Sequence, residues 1–192
     1  MEKLAAVVAL FQLAFNVLPT IFVLYSNYRY GWTPQIMGMT FFATGVAQII
    51  VQMFLVGPAV RRLGERGAVL LGLGLGTLGM IVYALAPTGL IYLAGIPLWA
   101  MSGFVTPGLQ GLMTRRVGPQ HQGQLQGVSQ SLQGLGSIVG PSLFGLTFAW
   151  AVRHDASLHL PGLPILISSG LLVAAFALSV RVATPAPASA AI

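Results

Sequence analysis

The sequence has no cysteine, which excludes disulfides, thiolate metal sites and cysteine redox chemistry. Charge is almost as scarce. Only 6% of the residues are charged, where soluble domains average about a quarter, so an ordinary soluble globular domain is excluded. The acids are Glu2, Glu65 and Asp155 alone, too few to join the histidines in a metal-binding cluster. His121, His154 and His159 lie in connections on opposite sides of the apolar spans, so no metal site is expected. No span contains a histidine, which removes an intramembrane serine protease, since its Ser nucleophile needs a buried base. No enzyme and no cofactor are expected.

What is present is apolar. The chain is 56% hydrophobic over 192 residues, which excludes disorder. Stretches near the length that crosses a bilayer core recur along it. Six spans are expected at about 4–25, 35–57, 67–86, 90–113, 124–150 and 163–182. They make one all-α bundle over 1–182, followed by a disordered Pro/Ala-rich tail at 183–192. A cleaved signal peptide at the start is not expected, because Met1-Glu2-Lys3 is barely basic and no small-residue cleavage site follows. Tyr25, Tyr28, Tyr30 and Trp32 crowd the first connection, as amphipathic rings do at the headgroup level.

The net charge is +6, but its Lys and Arg are scattered between spans rather than gathered on a soluble face, so no nucleic-acid partner is expected. Lys3, Arg61, Arg62, Arg66, Arg115, Arg116 and Arg181 fall on one side of the membrane, with Arg29 and Arg153 on the other. The positive-inside rule then places both termini in the cytoplasm.

Polar side chains form stripes on four spans. Gln12, Asn16 and Thr20 lie four apart on the first, and Thr40, Thr44, Gln48 and Gln52 on the second. Ser102, Thr106 and Gln110 mark the fourth, and Gln126, Gln130, Gln133 and Ser137 the fifth. Two explanations compete. They glue helices together, at about 0.6 kcal/mol per contact on average, or they line a polar pathway. The third and sixth spans have little of this and read as packing helices.

Glycines carry the remaining signal. GLGTLG at 74–79 has the literal spacing of a dinucleotide loop, but it lies inside a span rather than between a strand and a helix. Gly72 with Gly76, Gly123 with Gly127 and Ser131, and Gly136 with Gly140 beside Pro141 read as small-residue faces for close helix packing.

The segment VGPAVRRLGERG resembles the signature loop of the major facilitator superfamily, Gly-x-x-x-Asp-Arg-x-Gly-Arg-Arg. Gly57, Arg62, Gly64 and Arg66 match, Arg61 stands at the Asp position, and Glu65 lies among the arginines. Pro107, Leu109, Gln110, Gly111 and Met113, with Gln122, Gly123, Leu125, Gln126, Gly127 and Gly140-Pro141, are similar to the tetracycline-exporter type of drug/proton antiporter.

The resemblance covers nearly the whole chain and implies a C-terminal six-helix half. It implies a cavity lined by helices 1, 2, 4 and 5, bearing Gln12, Asn16, Gln48, Gln52, Gln110, Gln130 and Gln133. Trp99 would be a stacking surface, and the Arg61–Arg66 loop a cytoplasmic latch. The partners implied are the lipid bilayer, a small drug-like substrate and an N-terminal half, in a bacterial inner membrane. That type of exporter has an aspartate at the position of Gly76, whereas no span here contains an acid. Coupling carboxylates would then come from the other half. A half that works as a dimer and a remnant without transport activity are the alternatives.

Overall fold

The computed structural model describes residues 2–115, 119–155 and 159–181. Arg116 and the tail at 183–192 lie outside the described residues. The described residues form an all-α bundle of helices long and apolar enough to cross a membrane. We label them α1 (Lys3–Tyr30), α2 (34–63), α3 (65–85), α4 (Gly89–Thr114), α5 (Gln122–Arg153) and α6 (Leu163–Val180).

The boundaries follow local chemistry. Gly31 ends α1 in the left-handed region at φ 63°, donating its N–H to the Asn27 carbonyl at 2.8 Å. Thr33 is extended and Pro34 opens α2, where its missing N–H costs nothing. Helical hydrogen bonding runs without a gap from Pro34 to Leu85, yet Gly64, at φ 70° and ψ 170°, divides that stretch in two. An L side chain is strained at that φ, so glycine makes this turn possible. Pro87 closes α3 by forcing Ala86 out of helical geometry, to ψ 118°.

α3 is the centre of the bundle. It packs most extensively on α6, and α4 covers its other side. Glycines set the distance to α4. A Cβ on Gly72 would come 2.9 Å from Val105, one on Gly76 3.0 Å from Ser102, and one on Gly79 2.6 Å from the Trp99 backbone nitrogen. α1 is held to α6 by the buried Ser168 hydroxyl, which donates to the Ala14 carbonyl at 2.9 Å. It meets α5 where Asn16 sits on Gly140.

The aromatic residues of the first connection do more than mark a membrane interface. Tyr25 is fully buried, Trp32 is 8% exposed and only Tyr28 of the four is well exposed. The last carbonyls of a helix have no intrahelical donor, and those of α3 receive tyrosine hydroxyls. Tyr25 donates to the Tyr83 carbonyl at 2.9 Å and Tyr30 to the Ala86 carbonyl at 3.0 Å. Tyr83 stacks on Tyr92 at 4.2 Å, which joins α3 to α4. Tyr28 instead reaches the residues that follow α5, donating to Asp155 Oδ2 at 2.8 Å.

Candidate functional site

The four helices with polar stripes are also the four that carry a proline beyond their first turn. In α1, Pro19 cannot donate to the Phe15 carbonyl, and the helix breaks at Asn16. The Asn16 amide donates to the Gln12 carbonyl at 2.7 Å, and the Thr20 hydroxyl to the Asn16 carbonyl at 2.7 Å. In α2 the missing N–H of Pro58 follows a π turn over Val51–Leu55, closed by the Val56 N–H on the Val51 carbonyl. In α4 a 3₁₀ turn, Met101–Phe104, lies between Pro97 and Pro107. α5 carries Pro141 in its interior. α3 has no proline, and α6 has Pro164 only in its first turn.

Between these four helices runs a chain of overlapping cavities. One of about 410 Å³ is aromatic, walled by Phe15, Phe22, Phe41, Tyr92 and Trp99, with Gln48 and Gln52 on its rim. The same two glutamines enter a second cavity of about 420 Å³, shared with Phe15, Ser102, Thr106 and Gln110. Gln110 continues into a third of about 220 Å³, beside Gln12, Gln130 and Gln133. A fourth, of about 330 Å³, extends from Gln110 and Gln130 to Gln122 and Gln126. Volumes of this order suit drug-sized ligands, which occupy about 300–1,000 Å³.

The hydroxyls and the amides in the stripes behave differently. Thr20, Thr40, Thr44 and Ser137 each donate to the carbonyl four residues back on their own helix. Among the described residues, the side-chain amides of Gln12, Gln48, Gln52, Gln110, Gln130 and Gln133 make no hydrogen bond. Of the two explanations for the stripes, helix glue describes Ser168 on α6, whose bond crosses between helices. It does not describe the glutamines.

Asn16 lines none of these cavities; it is spent on its own kink and on the α5 contact. Trp99 is only 3% exposed and touches the aromatic cavity through a wall shared with Phe15, at 5.5 Å between ring centroids. Sequence reasoning missed Phe15 and Phe11 because both looked like ordinary span residues. Their position one helical turn apart, beside Gln12, is the signal that was available.

The arginine segment is not an open loop. Its first part is helical through Gly57, Arg61 and Arg62, both arginines being exposed, and only Gly64 turns the chain. Glu65 pairs with Arg115 at the end of α4, at 2.6 Å, rather than with its neighbours in sequence. Arg66 donates to the Val180 carbonyl at the end of α6. Together the two side chains tie the start of α3 to α4 and α6. Of the small-residue faces, Gly72, Gly76, Gly136 and Gly140 meet neighbouring helices, with Pro141 next in line. Gly123 and Gly127 are exposed and have open space where a Cβ would stand.

A family model described as Major Facilitator Superfamily matches residues 4–191. The tetracycline resistance protein of class C from Escherichia coli is 32% identical over 179 residues, covering 86% of this chain and 45% of that protein. The class G protein from Vibrio anguillarum is 33% identical over 171 residues, 85% of this chain and 44% of its own length. Multidrug resistance protein 2 of Bacillus subtilis is 26% identical over 174 residues, with shares of 86% and 42%. The chain spans about half the length of the curated relatives it matches.

Proposed function

Because the chain belongs to the Major Facilitator Superfamily, a family of carriers and not of enzymes, we propose that it forms the C-terminal six-helix half of a membrane exporter of drug-like compounds. Tetracycline-type antiport is the model, given the names its relatives carry. The observation that carries this reading is the row of unpartnered glutamine amides along connected cavities between α1, α2, α4 and α5. Free amides buried against lipid would be costly, whereas a hydrated pathway uses them.

On this reading the bundle rocks against an N-terminal half, exposing the groove to each side in turn. The arginine-rich end faces the cytoplasm of a bacterial cell, and the Glu65–Arg115 pair with the Arg66 contact keeps that end of the bundle rigid. No acid lines the groove, so the ionisable groups that couple proton flow belong to the other half. Export is measured as drug accumulation in cells stripped of their own efflux. Gln52→Leu and Gln110→Leu are expected to change the ratio of export rates among compounds by roughly three- to tenfold, the worth of a hydrogen bond. An unaltered profile at equal membrane abundance would sink the assignment.

A further inference from the structure

Two helices have almost no part in the groove. α3 and α6 pack on each other, and apart from Tyr83 neither lines a cavity. Their outer surface forms a separate seam. A Cβ on Gly74 would come 3.7 Å from the Phe176 ring, so that ring lies against α3 where its backbone is bare. Leu71 and Leu78 stand one turn to either side of Gly74, at 38% and 51% exposure. Val173, Phe176 and Val180 continue the open strip on α6 at helical spacing. Apolar side chains this open on helices that cross a bilayer meet lipid chains.

At the arginine-rich end the seam meets charge. Arg66 donates to the carbonyl of Val180, one turn beyond Phe176, and Arg181 follows as an exposed residue. Arg66 is half-buried, and its Nε is buried without a hydrogen-bond partner. Among the described residues it makes no ion pair, because the adjacent acid, Glu65, is taken by Arg115. Of the nine Lys and Arg, all but Arg29 and Arg153 belong to this end, with Glu2 and Glu65 as its acids. A guanidinium withdrawn from water without a counter-charge is costly, and a phosphate matches its fork of donors. The positive dipole end of α3 offsets the negative end of α6, so the arginines decide the sign.

We propose that this seam holds an anionic phospholipid, its phosphate between Arg66 and Arg181 and an acyl chain running past Gly74 along Phe176 and Val173. The lipid supplies the counter-charge that the chain lacks, and it clamps α3 to α6 on the side away from the groove. Arg61 and Arg62 belong to the last turn of α2, across the Gly64 turn, and are not part of the site. The site needs a bilayer but not carriage, so it is independent of the export reading.

The full chain, delipidated in a neutral detergent, is titrated with phosphatidylglycerol or phosphatidylcholine of the same acyl chains. Native mass spectrometry counts the lipid retained. Phosphatidylglycerol is expected to bind roughly five- to thirtyfold tighter, the worth of one to two basic residues beside an anionic headgroup. Arg181→Gln should lower that preference about fivefold. It is the decisive variant, because the Arg181 side chain makes no bond among the described residues, whereas Arg66 also holds Val180. Arg153→Gln removes the same charge at the other end, and Arg61→Gln with Arg62→Gln removes charge from α2. Both should leave the preference within a factor of about two, since exposed charges at a distance are screened. Glycerol phosphate, which has the headgroup chemistry without the chains, should not displace the lipid.

Equal binding of the two lipids would overturn the proposal. A preference that the control substitutions lower as far as Arg181→Gln does would reduce it to net charge, and displacement by glycerol phosphate would reduce it to a free-phosphate site. A lipid-free dimer that Phe176→Ala dissociates would overturn it too, since a second copy of the chain would then cover the seam.

Discussion

At the scale of single residues, glycines of the same sequence type have opposite physical roles. Gly79 lies where α3 crosses α4, and a Cβ there would stand 2.6 Å from the Trp99 nitrogen and 3.0 Å from its Cα. Those are backbone atoms, so relief requires the two helices to part. Gly79→Ala should destabilise by about 1–3 kcal/mol, as overpacking does. Gly127, exposed and with nothing near its missing Cβ, should instead gain about 0.5–1 kcal/mol on replacement by Ala through helix propensity. Thermal unfolding in detergent checks the pair, and two variants moving in the same direction would contradict the assignment of roles.

Part of this was legible in the sequence. Gly72 and Gly76 announced a close face, and Gly79 extends it by three residues along the same side of the helix. Gly123 and Gly127 have the same spacing, but spacing cannot say whether a partner helix is present at that height. The glutamine stripes were legible as stripes. Their lack of partners was not, because a hydrogen bond across helices depends on which residues tertiary packing brings opposite. Arg66 shows the same limit: its partner, the Val180 carbonyl, is 114 positions away.

At the scale of helices, the four elements with interior prolines supply all of the lining of these cavities except Tyr83 of α3. A break in a helix frees carbonyls and turns the residues beyond it, and either consequence would be expensive against lipid alone. Here the irregular turns of α1, α2 and α4 border the groove. The π turn of α2 places Gln52 inside the irregular segment and Gln48 just before it, so the relation between these two amides depends on Pro58. Pro58→Ala restores an N–H donor and removes the clash of the ring with the preceding turn. An interior proline costs a helix about 3 kcal/mol, so the variant should be more stable, by roughly 1–3 kcal/mol in thermal unfolding, while its export profile shifts. A less stable variant would mean that the π turn has another cause. The prolines themselves were visible from the start. That a helix would run on through Gly57 and Pro58 as far as Gly64 was not, since Gly-Pro ordinarily reads as a stop.

At the scale of the whole molecule, the inside and the outside of the bundle pose different problems. Inside, α3 is wrapped by α4 and α6, its last carbonyls are met by tyrosines, and its first turn is tied by Glu65 and Arg66. Outside, the groove between α1, α2, α4 and α5 is open, its amides make no hydrogen bond within the bundle, and α2 and α5 present Phe42, Met53, Ile138 and Leu146 at 70% exposure or more. Lipid can cover those side chains but cannot hydrogen-bond six amides, so a bilayer alone leaves the groove face unstable. A second bundle of similar size, enclosing water between the two, resolves both requirements at once. The relatives agree in proportion, since the chain covers 45% of the class C protein. The active species in native membranes should therefore have a protein mass near twice 20.1 kDa, as a longer polypeptide or as a complex of two bundles. Native mass spectrometry of the membrane-extracted protein, followed by a denaturing gel, distinguishes these forms. An exporting species of 20.1 kDa with no second bundle would contradict this requirement. The groove would then have to be closed by this bundle alone, and the free amides would need partners that its six helices do not supply.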